Sequence, residues 1–335
     1  MLDADYGEPP VGGPEVSSTY GQYDLCGFPK AAAFWYRVQW LLTIPDNPDK
    51  TFPTRGSHEV HIVESWESPD SWPSTVGQKT RNIHVYTSAP SVELLANGKS
   101  QGTQKVVPMK QGPGSYAEFL NVTWAAGTIT AHAKDATGNV VATDERHTLG
   151  KASKLELSID APSKATGTGE ALLLDGHDAA LLRASVVDDA GRVMVHARNN
   201  ITFRIVSGPG VVQGSHNGDV HCQEPNNAPW HSANHGLVRA VIRVTSSAAR
   251  NARELELLSH IDHDGPMAAS SAIALHDGRN WDTSDIVVEA SSPGFDPVQV
   301  TIPTSTDPKD DVMAIAEASA GQPVDFFGHS NPAGH

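Results

Sequence analysis

Residues 82–100 read NIHVYTSAPSVELLANGKS, and this stretch decides the fold class of the chain. Asn82–Thr87 and Ser91–Ala96 are short runs rich in β-branched, aromatic and apolar residues, which favour strands. Asn97-Gly98 follows at once, and this dipeptide is typical of a tight hairpin turn that needs positive φ. The stretch therefore predicts neighbouring strands of an antiparallel sheet.

The same pattern continues on both sides of this stretch. The first region has further predicted strands at His58–Glu64, Tyr116–Val122, Gly127–Lys134 and Val140–His147. After the polar link Lys151–Lys154, a second series is predicted at Lys154–Ile159, Ala179–Asp188, Asn200–Ser207, Gly210–Gly214, Leu237–Thr245, Ile286–Ser291 and Val298–Ile302. Strands this short and closely spaced indicate antiparallel sandwiches. We therefore expect a mainly β chain with two Ig-like β-sandwiches.

One segment near the start has a helical pattern instead. Pro29 opens it, and proline fits the first turn of a helix because its missing N–H has no partner there. Three alanines follow and favour the helix. Its apolar stripe consists of Phe34, Val38, Leu41 and Leu42. A helix of this kind, standing alone before a β-rich chain, needs a partner and is interpreted as a fragment of something larger.

Charge and cysteine content limit the function classes. The 335 residues include 39 acidic and 24 basic ones, a formal net charge of −15, and no basic run that could bind nucleic acid. Cys26 and Cys222 are too few for a disulfide scaffold. The start lacks the pattern of a signal peptide, and no apolar run approaches the roughly 20 residues of a membrane span. The compartment stays open.

Several motifs resemble family 2 glycoside hydrolases of the β-galactosidase kind. Residues 5–10, DYGEPP, look like the loop after the eighth strand of the (β/α)8 barrel in that family. Residues 23–30, YDLCGFPK, look like the lead into the eighth barrel helix, and residues 85–100 like a strand and turn of the Ig-like domain that follows. Gly208-Pro-Gly210, Asn217-Gly-Asp219 and Glu224-Pro225 resemble a further C-terminal sandwich. By motif, the resemblance covers about residues 5–300.

The resemblance implies a division into four parts. Residues 1–45 would be the end of the barrel, 46–150 and 151–303 two sandwiches, and 304–335 a mobile tail. Family members cleave β-linked sugars with two glutamates on barrel strands four and seven, which retaining chemistry holds about 5–5.5 Å apart. Both positions would precede Met1. We therefore expect no catalytic residues, and an inactive isolated chain, although the resemblance is to an O-glycosyl hydrolase.

Three functions remain open at this point. The first is a non-catalytic C-terminal region that supports the barrel and the entrance of its sugar site. The second is an enzyme-derived structural or adhesive subunit, whose exposed stripe of Phe34, Val38, Leu41 and Leu42 docks on a protein partner, because a large bare apolar patch is costly in water. The third is a carbohydrate-binding module.

Three residues are candidates for the rim of a sugar site. Glu8 lies in the loop that matches the barrel end, where a solvated carboxylate is the alternative. Trp66 and Trp72 lie near Pro69 and Pro73 in a predicted loop, and aromatic faces stack on sugar rings. The alternative for a tryptophan is a place in a sandwich core.

Residues 216–235 gather imidazole, thiol and carboxylate groups. They are His216, His221, Cys222, Glu224, His231 and His235. Such ligands suit zinc or copper. Their spacing, however, fits no tight zinc pattern of paired cysteines and histidines. We therefore predict a connecting loop between strands, with no metal and no cofactor.

Overall fold

The computed structural model describes residues 20–43, 58–71, 76–107, 114–163, 168–248 and 282–307. The chain divides into two compact units, with the boundary between Lys151 and Ala152. Both are built from antiparallel sheets, so the mainly β, sandwich-type fold is confirmed. The four-part division and the barrel origin of the first segment stay predictions. Among the described residues, no helix is long and apolar enough to cross a membrane.

The first unit contains one α-helix, a short 3₁₀-helix at Pro69–Ser71 and seven strands in its described part. The α-helix and the strands are α1 (Ala31–Thr43), β1 (Val60–Ile62), β2 (Thr80–Thr87), β3 (Ser91–Ala96), β4 (Lys99–Lys105), β5 (Tyr116–Thr123), β6 (Thr128–Lys134) and β7 (Val140–His147). One sheet has the order β1-β2-β5 and the other β4-β3-β6-β7. Side chains from both sheets form one core, which includes Ile83, Val85, Leu94, Phe119 and Ile129.

Alternation explains why these strands have one buried face. In β6, Ile129, Ala131 and Ala133 are buried while the residues between them are partly exposed, as the period of two in a strand requires. Asn97 and Gly98 turn β3 into β4 with φ of 49° and 75°. The predicted hairpin turn is therefore confirmed.

The second unit is a sandwich of two four-stranded sheets. Its strands are β8 (Lys154–Ala161), β9 (Leu172–Leu173), β10 (Ala179–Val187), β11 (Asn200–Ser207), β12 (Gly210–His216), β13 (Trp230–Ser232), β14 (Leu237–Val244), β15 (Ile286–Ser291), β16 (Val298–Ile302) and β17 (Thr304–Ser305). The sheets have the orders β12-β14-β10-β8 and β13-β11-β15-β16. Their core includes Leu155, Leu182, Phe203, Ile242 and Ile286.

The end of the second unit is tied down by a short parallel pairing of β9 with β17. The N–H of Leu172 donates to the carbonyl of Pro303, and that of Leu174 to the carbonyl of Ser305, both at 2.9 Å. Thr304 and Ser305 belong to the segment predicted as a mobile tail, and these backbone hydrogen bonds hold them in a strand instead. Residues 308–335 lie outside the described part.

The turn between β11 and β12 requires glycine. Gly208 has a φ of 86°, and a Cβ added there would lie 2.2 Å from the carbonyl oxygen of Asp285. No side chain fits at that distance, so the Gly208-Pro-Gly210 motif lets the turn approach the backbone that leads into β15.

The helix stripe is not exposed as predicted. Val38 is 1% exposed, and the ring of Phe34 stacks on that of His61, with centroids 3.7 Å apart. Val38 is therefore buried within the first unit and Phe34 is partly covered by His61, while docking of a partner on this helix stays a prediction. The side chains of Leu41 and Leu42 lie outside the described part.

Candidate functional site

A pocket of about 420 Å³ lies on the first unit. Its lining residues come from α1, β2 and β5, and they are Ala32, Trp35, His84, Tyr86, Tyr116 and Glu118. The register of the sheet explains the grouping, because His84 lies opposite Glu118 and Tyr86 opposite Tyr116. Residues two apart in a strand share a face, and the intervening Val85 is buried in the core.

A charged network surrounds His84 in this pocket. Its Nδ1 lies 2.7 Å from Glu64 Oε1, and its Nε2 lies 3.2 Å from Glu118 Oε1. The backbone N–H of His84 also donates to Glu64 Oε2 at 2.7 Å. Burial lowers the pKa of His84, but the hydrogen bonds and charges of the two carboxylates outweigh it, so the pKa is raised above its ordinary 6.5. The network therefore favours an imidazolium held between two carboxylates.

Aromatic rings form the apolar part of the pocket. The indole N–H of Trp35 donates to the carbonyl oxygen of Gly114 at 3.0 Å, which fixes the ring. Burial, followed by the negative charge of Glu64, raises the pKa of Tyr86, so its hydroxyl stays protonated and can donate. Ring faces beside hydroxyl, imidazole and carboxylate groups are the mixture that binding sites use to orient a ligand with both apolar and polar surface.

This arrangement suits binding better than glycosidic cleavage. A retaining hydrolase needs two carboxylates that flank the scissile bond. Glu64 and Glu118 instead both contact the imidazole of His84, which takes the place that a substrate would need between them.

The sequence-predicted rim residues lie elsewhere. Trp66 is fully buried in the core of the first unit, and its indole N–H donates to the carbonyl of Ala125 at 3.0 Å. Its ring cannot stack on a sugar in this position, so packing of the sandwich overrides the predicted role. Glu8 and Trp72 lie outside the described residues.

Sequence reasoning missed the residues that do line the pocket. Trp35 lies in the predicted helical segment, and Tyr86 and Tyr116 lie in predicted strands, but none of the three is predicted to bind a ligand. The available signal was the alternation of His84 and Tyr86 with buried neighbours, which places both on the outer face of β2. The contribution of β5 depends on pairing across the sheet, which spacing along the chain does not reveal.

The second unit brings together three possible metal ligands for which spacing along the sequence predicted no metal site. One potential ligand atom each from His216, Cys222 and His231 lies within 4.8 Å of the other two. Residue types with imidazole and thiol groups bind zinc and copper. The three-dimensional arrangement therefore fits a metal better than the spacing indicated.

Two family models match separate parts of the chain. Residues 164–252 match the C-terminal domain 5 of glycoside hydrolase family 2. Residues 77–142 match a domain of unknown function, DUF4982. The first match falls in the second unit and the second in the first unit.

Curated relatives match over about two thirds of the chain. The β-galactosidase BoGH2A of Bacteroides ovatus is 32% identical over 221 residues, which are 64% of this chain and 21% of that protein. A β-glucuronidase of Formosa agariphila is 31% identical over 206 residues, 61% of this chain and 17% of that protein. The chain thus spans about a fifth of the length of these relatives.

Solved structures share the fold over most of the chain. A β-glycosidase from Bacteroides vulgatus superposes with a TM-score of 0.64 at 17% identity, covering 91% of this chain and 30% of that one. A β-glucuronidase from glycoside hydrolase family 2 gives 0.62 at 23% identity, with 91% and 24% covered. The likeness extends the shared architecture beyond the segments that the family models match.

Proposed function

We propose that this chain is the non-catalytic C-terminal region of a β-galactosidase-like enzyme. The premise is that part of the chain is a fragment of glycoside hydrolase family 2. In this role the two sandwich units support the catalytic barrel and the entrance of its sugar site. The observation that carries the proposal is the match of residues 164–252 to a C-terminal domain of that family.

The chemistry of the first unit agrees with a supporting role. Glu118, which lines the pocket, and the neighbouring Glu64 both contact the imidazole of His84. Proton transfer to a leaving group and nucleophilic attack need carboxylates that are turned to the substrate from either side. The network of His84 supplies neither.

The test is an assay of the purified chain with nitrophenyl β-galactoside and nitrophenyl β-glucuronide. We expect no release of nitrophenol above the rate in buffer. The matched control is the Glu118→Gln variant, which should give the same background. An enzymatic rate that this substitution abolishes would overturn the non-catalytic part of the proposal.

A second candidate function is carbohydrate binding in the pocket of the first unit. The ring of Trp35, the hydroxyls of Tyr86 and Tyr116 and the carboxylate of Glu118 support it. Even with His84 protonated, the carboxylates of Glu64 and Glu118 leave the site negative. A neutral sugar should therefore bind more tightly than a uronic acid.

Calorimetry with galactose and with glucuronate tests this candidate. We expect galactose to bind more tightly, and Trp35→Ala to weaken binding of galactose at least tenfold. Trp40→Ala is the matched control, since Trp40 is on the same helix, is 53% exposed and does not line the pocket. An absence of heat with both sugars, or equal binding by Trp35→Ala, would rule this function out.

A further inference from the structure

We propose that His216, Cys222 and His231 form a binding site for a zinc ion in the second unit, with the neighbouring carboxylate of Glu224 as the fourth ligand. The inference is independent of the proposed function, since it rests only on side chains around one loop. The loop runs from the end of β12 to β13, residues 217–229.

The fold brings the four residues together from two strands and the loop between them. His216 ends β12, His231 lies within β13, and Cys222 and Glu224 come from the loop. Within the loop, the side-chain amide of Asn217 donates to the carbonyl of Ser232 at 2.9 Å, which holds the loop against β13.

The separations approach those of a tetrahedral zinc site. One ligand atom each from His216, Cys222 and His231 lies within 4.8 Å of the others. Glu224 Oε2 lies 3.7 Å from Cys222 Sγ and 4.0 Å from His231 Nε2. Zinc bonds of about 2.0–2.3 Å in tetrahedral geometry place ligand atoms about 3.4–3.6 Å apart. The ligand atoms of His216, Cys222 and His231 therefore need to approach one another by up to about 1.2–1.4 Å to coordinate an ion.

Hydrogen bonding at Nδ1 of His231 leaves the lone pair of this ring on Nε2, the nitrogen on the side of Cys222 and Glu224. The hydroxyl of Ser215 donates its single hydrogen to the carbonyl of Ala228 at 2.9 Å. It must therefore accept from Nδ1–H of His231, 3.0 Å away. The lone pair of His231 is thus on Nε2, and a hydrogen bond from the other nitrogen is how proteins orient histidines that bind metals.

This lone pair is otherwise unexplained. His231 is 0% exposed, and its Nε2 has no hydrogen-bond partner within the described residues. The 4.0 Å to the carboxylate of Glu224 is too long for a hydrogen bond. A buried polar atom without a partner is costly, and an ion between these groups would satisfy it.

The charges of the group match a divalent cation. As metal ligands both imidazoles are neutral, and at His216 an ion would replace the hydrogen bond that Nδ1 accepts from the backbone N–H of Gly218 at 2.9 Å. Cys222 is a free thiol, so an ion would displace its proton as the thiolate forms. One thiolate and one carboxylate then balance the two positive charges, which makes a partly buried site favourable.

The ligand set selects the metal and its role. Sulfur and imidazole favour zinc over the oxygen-seeking Mg²⁺ and Ca²⁺. With the carboxylate of Glu224 as the fourth ligand the site is closed and structural, whereas a catalytic zinc keeps a position for water. The ion would therefore fasten the loop at 217–229 to the sandwich.

The test is a titration of the reduced, chelator-treated chain with Zn²⁺ and with Co²⁺. We expect one ion per chain, a rise in the thermal midpoint, and a thiolate-to-cobalt charge-transfer band. Cys222→Ser should abolish the band, and His231→Ala should lower the affinity at least a hundredfold. The matched controls are Cys26→Ser, which removes the other thiol, and His177→Gln, which removes an exposed imidazole of the same unit.

Two further measurements keep the proposal falsifiable if a variant fails to fold. In the unaltered chain, Zn²⁺ should slow alkylation of Cys222 but not that of Cys26, as followed by peptide mass spectrometry. Ser215→Ala should weaken zinc binding about 10–100-fold, because it removes the partner that orients His231. Three outcomes would overturn the site. They are zinc binding without one-to-one stoichiometry, a cobalt charge-transfer band that persists in Cys222→Ser, and an alkylation rate of Cys222 that Zn²⁺ does not slow relative to that of Cys26.

Discussion

Replacement of Trp66 by alanine distinguishes a core tryptophan from one that binds sugar. The side chain is fully buried, and a buried tryptophan removes about 150–250 Å² from water, worth about 4–6 kcal/mol at 25 cal/mol per Å². Such area-based values are upper estimates, and Trp→Ala changes in cores typically cost about 3–5 kcal/mol. We expect the first unit to lose about 4 kcal/mol of its free energy of unfolding.

Urea denaturation followed by hydrogen exchange measures this loss in each unit separately. With an m-value of about 2 kcal/mol per M, the midpoint of the first unit should fall by about 2 M. Strands of the second unit serve as the internal control, and their exchange should not change. Trp66→Phe keeps most of the ring but leaves the carbonyl of Ala125 without its donor, which should cost about 1–3 kcal/mol.

The reasoning fails if Trp66→Ala costs less than about 1 kcal/mol, the scale of an ordinary surface change. It also fails if the substitution lowers affinity for a sugar while the urea midpoint of the first unit is unchanged. Either outcome would indicate that the ring of Trp66 lies at the surface, where it can stack on a sugar.

Two more predictions concern charge and backbone. The pKa of His84 is raised, so its ion pairs with Glu64 and Glu118 stabilise the folded state below pH 6.5, and this stabilisation is lost as the pH rises through the folded pKa. The difference in unfolding free energy between the unaltered chain and His84→Gln should therefore shrink as the pH rises. An NMR titration that places the pKa of His84 below 6.5 would contradict this prediction. Gly208→Ala should cost well over 1 kcal/mol, because the turn has positive φ and the new Cβ meets a backbone carbonyl. Gly138→Ala, also at positive φ but with nothing within 4 Å, should cost only about 1 kcal/mol in the same urea experiment, and equal losses would refute the steric argument.

Strands with a clear apolar alternation could be predicted from the sequence to the residue. Ser91–Ala96, Val140–His147, Asn200–Ser207, Ile286–Ser291 and Val298–Ile302 have the same bounds in the structure. Four of them bury apolar side chains on one face, so the pattern and the packing agree, whereas in Val140–His147 the apolar residues Val140 and Val141 are exposed and the buried residue is Arg146.

Strands that depend on a partner could not be predicted in this way. Lys99–Lys105 has no apolar residue and is mostly exposed; it forms β4 because the hairpin turn places it beside β3. Trp230–Ser232 and Leu172–Leu173 are too short for a periodic signal. Their pairing is decided by neighbours that are distant in sequence.

The same limit applies to the candidate sites. A tryptophan near prolines looks exposed in sequence, yet Trp66 is fully buried and its indole N–H donates to the carbonyl of Ala125. Spacing argued against a metal at His216 and His231, because they approach only where β12 and β13 come together. Chemistry-bearing residue types could be recognised from the sequence, but their grouping is a property of tertiary packing.

The parallel pairing of β9 with β17 limits how far the second unit can be shortened and still fold on its own. A segment limited to the family match, 164–252, would omit β8 and β15–β17, and with them half of the strands that flank β10 and β11. A version that stops before Pro303 would strip the acceptors from the amides of Leu172 and Leu174, at about 1–3 kcal/mol for each buried donor. The smallest autonomous folding piece should therefore begin by Lys154 and continue through Ser305.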